Sequence, residues 1–207
     1  LLVAHPPERH GPLAPEPVTR IIHALKAKIL ANPDDFIAYN KLAGYYLQRQ
    51  RETSDDGALV LAERAARASL AILPAAHNYG GLAALGQVAL SRHQFATART
   101  HANQLITLAP TKSLGFQILY DALTELGEYA AAEQALARLT QLADGSVAAE
   151  SRLGQHARLQ GRMAEAKQHL TAALHAALAQ PQPLQETVAW CHWQLGELAY
   201  AVGDYTR

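Results

Sequence analysis

The sequence predicts an all-α fold, a solenoid of antiparallel helix pairs, and three observations carry that prediction. Alanine and leucine dominate the chain, β-branched residues are few and only 6% of residues are aromatic, a balance that favours helix over strand. Apolar residues recur at helical spacing along most of its length. A four-position signature also returns, as Tyr39-Leu42-Ala43-Tyr46, Leu82-Leu85-Gly86-Ala89, Phe116-Leu119-Tyr120-Leu123, Glu150-Leu153-Gly154-Ala157 and His192-Leu195-Gly196-Ala199. It places unit starts at Phe36, Tyr79, Ser113, Val147 and Ala189, with spacings of 43, 34, 34 and 42 residues between these numbered positions.

Taken in order, the chain opens with Leu1-Leu2-Val3-Ala4 and a polar, proline-rich stretch from His5 to Pro17, so residues 1–17 read as a flexible leader or a processed segment. If Leu1-Ala4 is the remnant of a signal or anchor, the protein is exported to a periplasmic or extracellular space; otherwise it is cytoplasmic. Residues 18–32 follow, with Ile21, Ile22, Leu25, Ile29 and Leu30 on one face of an amphipathic helix suited to cap the solenoid expected over 33–207. In the first unit, the charged stretch from Arg51 to Asp56 is expected to lengthen the loop between the two helices, and two further residues enter after Pro74.

Second helices carry a small residue where the first helix crosses closely, namely Ala62, Ala98, Ala132 and Ala166. The turn within each pair wants a residue comfortable at positive φ, a place given to Gly57, Gly127, Gly161 and Gly203, and in the second unit to His93, where strain is expected. The second helix of the fourth unit runs on through Ala177 to the Gln180-Pro181-Gln182-Pro183 breaker. The sequence stops at Arg207, as the second helix of the fifth unit should begin. Trp190, Leu195, Leu198 and Tyr205 are therefore expected to need cover from a further helix or from another chain.

The repeated pattern resembles the tetratricopeptide repeat, whose unit of about 34 residues carries Trp-x2-Leu-Gly-x2-Tyr, then Ala-x3-Phe, then Pro. Matching positions include Leu85-Gly86, Phe95, Ala98, Ala102 and Pro110, then Gly127-Glu128-Tyr129 and Ala132, then Leu195-Gly196 and Gly203-Asp204-Tyr205. The likeness spans about four and a half units, from Phe36 to Arg207. Tyr120 departs from it, standing where the family prefers glycine or alanine. The resemblance implies a right-handed superhelical solenoid and a role in binding other polypeptides.

Several chemistries find no support in the residues. Eighteen basic side chains balance eighteen acidic ones, so no positive field exists for nucleic acid. The longest uncharged stretch, Ala68 to Ser91, is broken by Pro74, His77, Asn78, Gly80 and Gly81, which leaves no transmembrane segment. No two of the ten histidines stand three or four apart, so no metal site is expected. Cys191-His192 lacks the upstream cysteine of a haem-attachment motif, and Cys191 reads as a buried thiol. With no phosphate loop, nucleophile elbow or zinc-protease motif, the expectation is no enzyme, no catalytic residue and no cofactor.

In the resembled family the concave surface, lined by the first helix of each unit, holds partners. Carried onto this chain, that groove comprises Asn40, Gln87, Gln117, Asp121, Gln155, Arg158, Trp190, Trp193, Glu197 and Tyr200. It is nearly neutral and rich in amides, with an aromatic end. Asn40, Gly44, Ala84, Leu114 and Ile118 stand where a carboxylate-gripping member needs lysine, asparagine and arginine, so that specificity does not transfer. Glutamines match the hydrogen-bonding needs of a peptide backbone and tryptophans anchor interfaces. The expected function is a protein-interaction scaffold taking a peptide or protein in this groove. The alternative is a structural protein whose solenoids join through ends or sides into a homo-oligomer or filament.

Overall fold

The computed structural model describes residues 17–204; the expectations for the leader up to Glu16 and for Tyr205 lie outside them. Among the described residues there are ten α-helices and no strand: α1 (Pro17–Ala31), α2 (Phe36–Thr53), α3 (Asp56–Ile72), α4 (Tyr79–Ser91), α5 (Phe95–Leu108), α6 (Ser113–Glu125), α7 (Tyr129–Ala143), α8 (Val147–Leu159), α9 (Met163–Leu178) and α10 (Gln185–Ala201). From α2 onward they alternate as the first and second members of pairs. The first helix of the last pair starts at Gln185, ahead of the Ala189 that motif alignment suggests.

Local chemistry sets these boundaries. Pro17 opens α1 at the position where a missing N–H is least costly. Asp35, Asp55, Asn78 and Ser146 precede α2, α3, α4 and α8, and each accepts a first-turn backbone N–H through its side-chain oxygen. Gly127 and Gly161 take φ of 76° and 74° in the turns of their pairs. His93 is held at φ 56° in the equivalent turn, where a side chain is unfavourable, and its ring meets Phe95 edge-on with centroids 5.6 Å apart.

The first pair departs from the expectation. Helix α2 continues to Thr53, and it is Ser54, not Gly57, that takes the left-handed conformation, at φ 55°. Arg51 to Asp56 therefore form no long loop. Arg49, Gln50, Arg51 and Glu52 are strong helix formers that extend α2. Asp55 and Asp56 supply the cap and the first-turn negative charge that start α3, with Asp55 Oδ1 accepting the Gly57 N–H at 2.8 Å.

Each helix packs on the one before it, and α2, α4 and α6 also pack on one another in succession. Ala62, Ala98, Ala132 and Ala166 are essentially inaccessible at the crossings, as their size requires. A Cβ on Gly154 would stand 2.7 Å from Leu170 Cγ, so α8 and α9 approach only because that side chain is absent. Tyr120, the large residue at a small-residue position, is 1% exposed. Its ring packs against α7 and Ala149, and its hydroxyl donates to the Arg152 carbonyl at 3.3 Å, so its bulk spans the gap between α6 and α8.

A polar knot joins the first two units. Asn78 is 1% exposed and Ser69 is fully buried. Asn78 Nδ2 donates to Ser69 Oγ at 2.8 Å, and Asn78 Oδ1 accepts Asn40 Nδ2 at 2.8 Å and the Gly81 N–H at 3.0 Å. Asn40 Oδ1 lies 2.7 Å from Ser69 Oγ. The residues after Pro74 form the turn that brings Asn78 into this position, capping α4 from the seam of α2 and α3. A Cβ on Gly80 would sit 2.6 Å from Asn40 Nδ2, so the knot also requires glycine there.

At the far end, α10 packs on α9. Leu198 is 3% exposed, clustered with Ala157, Ala166 and Leu170, which corrects the expectation that it needs cover from a further helix or another chain. The helical period turns Trp193 and Tyr200 outward, 58% and 71% exposed, and Val202, just past the end of α10, is 55% exposed. Among the described residues, no helix is long and apolar enough to cross a membrane.

Candidate functional site

The first helices of the pairs surround an open concavity of about 1600 Å³. Gln87 of α4 and Gln117 of α6 lie on its wall, Ala148 and Ser151 of α8 continue it, and Trp190 and Trp193 of α10 close the far side. Its rim comes from two places distant in the chain, the end of α2 with Gln50, Arg51, Glu52 and the following Ser54, and the link from α9 to α10 with Gln180, Pro181 and Gln182. A smaller recess of about 310 Å³ adjoins it between α6 and α8, bordered by Asp121, Glu125, Gln155 and again Trp190. Helices α6 and α8 are not closely packed, which leaves room for that recess.

Two ion pairs organise the charge. Arg51 Nε lies 2.8 Å from Glu186 Oε2 and its Nη2 lies 2.9 Å from Oε1, a two-pronged pair across the rim. Arg152 Nε donates to Asp121 Oδ1 at 2.8 Å, bridging α8 to α6 beside the recess, and its Nη1 donates to the Ala148 carbonyl at 3.1 Å. Glu52 accepts Gln48 Nε2 at 2.8 Å. Gln117 is half-buried, and its Nε2 donates weakly to Ser113 Oγ at 3.2 Å.

The ten residues assigned to the groove from the sequence divide into three sets. Gln87, Gln117, Trp190 and Trp193 line the main cavity, and Asp121 and Gln155 line the recess. Arg158, Glu197 and Tyr200 border neither, lying further along α8 and α10. Asn40 also lies apart, its amide engaged by Asn78 and Ser69. Sequence reasoning missed the rim residues Arg51, Glu52, Gln182 and Glu186, and also Arg152. The only signal for the rim was the opposite charge of Arg51 and Glu186, and nothing local links residues so far apart. Arg152 sits next to Ser151, a position that helix geometry turns toward the concave face.

Other candidate chemistry falls elsewhere. Cys191 is fully buried against α9, and burial pushes its thiol pKa up, away from thiolate reactivity. Burial likewise raises the Tyr120 hydroxyl pKa. Among the described residues, no three His, Cys, Asp or Glu side chains gather into a metal-binding set.

Comparison of the fold places it among known solenoids. A thermophilic tetratricopeptide-repeat protein of Thermus thermophilus, TTC0263, superposes with a TM-score of 0.66 at 18% identity, over 84% of this chain and 88% of that one. YrrB, described as a tetratricopeptide-repeat protein with an unusual peptide-binding site, gives 0.53 at 17% identity, over 89% and 87%. MamA gives 0.54 at 19% identity, over 75% and 85%. No family model and no curated protein sequence matches the chain. These likenesses establish the architecture, an all-α superhelical solenoid of tetratricopeptide type.

Proposed function

Taking the tetratricopeptide-repeat fold as the premise, we propose that this protein is a non-catalytic interaction scaffold that binds an extended peptide or protein segment in its concavity. One observation carries the reading: a cavity of about 1600 Å³ whose lining joins glutamine side chains to two tryptophans. Each glutamine amide both donates and accepts, as a peptide backbone does, and the indoles offer large rigid contact area. The size suits several residues of chain better than a small metabolite, since small-molecule pockets run from about 300 to 1,000 Å³.

The test is replacement of Gln87, Gln117 and Gln155 together by alanine, with a peptide selected on the wild-type protein. Each lost hydrogen bond costs about 0.5 to 1.5 kcal/mol, so affinity should fall by at least roughly tenfold while helicity is retained. Unchanged affinity would move the binding surface off the concave face.

A second reading, self-association, draws on the exposed Trp193 of α10 and Val202 just past its end, large apolar groups that a second copy of the chain could cover. Sedimentation of the wild type against Trp193→Lys/Val202→Lys separates the two readings. A concentration-dependent mass that the double change abolishes favours assembly, and a monomer at all concentrations leaves the peptide scaffold.

A further inference from the structure

The charges that face the concavity are unevenly satisfied, and the imbalance defines the chemistry of an occupant. Two arginines line the cavity and its recess, and both are taken up by acidic partners, Arg51 by Glu186 and Arg152 by Asp121. Two carboxylates remain over. Glu52 on the rim of the cavity and Glu125 at the edge of the recess are both exposed, and neither forms an ion pair among the described residues. Glu52 receives one hydrogen bond from the neutral amide of Gln48, which leaves its charge uncompensated. The rest of the polar lining is amide and hydroxyl. The site is therefore negative although the chain as a whole carries no formal net charge.

The tryptophans sharpen this bias. Trp193, 58% exposed, lines the main cavity together with Glu52, while Trp190 lines both that cavity and the recess that holds Glu125. An indole face attracts a cation through its quadrupole, and a nearby carboxylate adds its own Coulomb attraction. Resting on the groove reading above, we propose that the concavity selects a peptide segment bearing a lysine or arginine side chain. The cation lies against Trp190 or Trp193 and is answered by Glu52 or Glu125, while the glutamine amides hold the backbone on either side. An acidic segment meets the same two carboxylates as repulsion, and both arginines of the described lining are already paired.

The two tryptophans of the chain both line the cavity, so their fluorescence reports its occupation directly. The experiment screens a library of short capped peptides whose net charge runs from strongly negative to strongly positive. Binders are then titrated against wild type and against Glu52→Gln/Glu125→Gln, with tryptophan emission as the readout. The expected result is enrichment of lysine- and arginine-containing peptides that shift the emission, bind more weakly as salt is raised, and lose roughly fivefold in affinity in the double variant. Neutral or acidic peptides binding as well as basic ones, with equal affinity in the variant, overturn the charge selection and leave groove binding standing. If no peptide of any charge perturbs the tryptophans, the groove reading falls and this inference falls with it.

Discussion

Arg51, in the last turn of α2, and Glu186, in the first turn of α10, stand 135 positions apart in the chain and meet as a two-pronged ion pair across the rim of the concavity. Each charge also suits its own helix end, the cation near a C-terminus and the anion near an N-terminus. The pair thus ties the first repeat to the last across the concavity.

If that tie sets the curvature, Arg51→Glu opens the solenoid by placing like charges face to face. X-ray scattering should record a larger radius of gyration, and the exchange Arg51→Glu/Glu186→Arg should restore the wild-type value. Because Arg51 is about half exposed, the stability change is modest, on the order of 0.5 to 1 kcal/mol. Identical scattering from all three proteins would show that packing alone sets the curvature.

Two glycines with equal room respond in opposite directions to alanine. A Cβ meets nothing within 4 Å at either Gly44, inside α2, or Gly127, in the turn between α6 and α7. Gly44→Ala removes backbone freedom from the unfolded chain and should stabilise by about 0.5 to 1 kcal/mol. Gly127 holds φ 76°, so Gly127→Ala should destabilise by about 1 to 2 kcal/mol. Thermal denaturation of the two variants decides, and a shift of the same sign in both would refute the argument.

Asn40 and Asn78 hold the first two units together through the polar knot with Ser69. Asn78→Ala removes the cap of α4 and strands the Asn40 amide, and should cost about 3 kcal/mol in urea unfolding. Asn40→Ala should destabilise by a smaller amount, about 1 to 2 kcal/mol, and leave peptide affinity unchanged at temperatures where the protein is folded. A loss of affinity without a loss of stability would return Asn40 to the groove.

Stability should also depend on Glu63 at acid pH. Hydrogen bonding from Arg67 and then Arg92 holds its carboxyl below the ordinary value of 4.5. A depressed folded pKa means the carboxylate contributes fully above the unfolded value, and that contribution is lost as pH falls through the folded one. Glu63→Gln should therefore be less stable than wild type by about 1 kcal/mol at neutral pH, and the difference should close progressively below about pH 4.5. A gap that persists unchanged into strong acid would show that lost packing, not charge, is responsible.

Helix content and the small-residue crossings were legible in the sequence, because helical period is set by contacts a few residues apart and the repeat returns the same small residue to each crossing. Ala98 and Ala132 sit at crossings because helical period and unit length repeat together, and Gly127 turns because a φ of 76° admits little else. His93 was legible as a strained turn for the same reason. The amide and aromatic lining of the cavity, Gln87, Gln117, Trp190 and Trp193, also followed from its place on the first helices.

Tertiary structure decided what local pattern leaves undetermined. Asn40 has the helix position of a groove residue, yet a turn that begins at Pro74 delivers the buried Asn78 to its amide and engages it in the knot. Leu198 and Trp193 are both apolar residues of α10, and the rotation of that helix on α9 buries one and exposes the other. The rim pair of Arg51 and Glu186 depends on the summed curvature of every unit between them, a quantity to which each crossing angle contributes and which no single motif encodes.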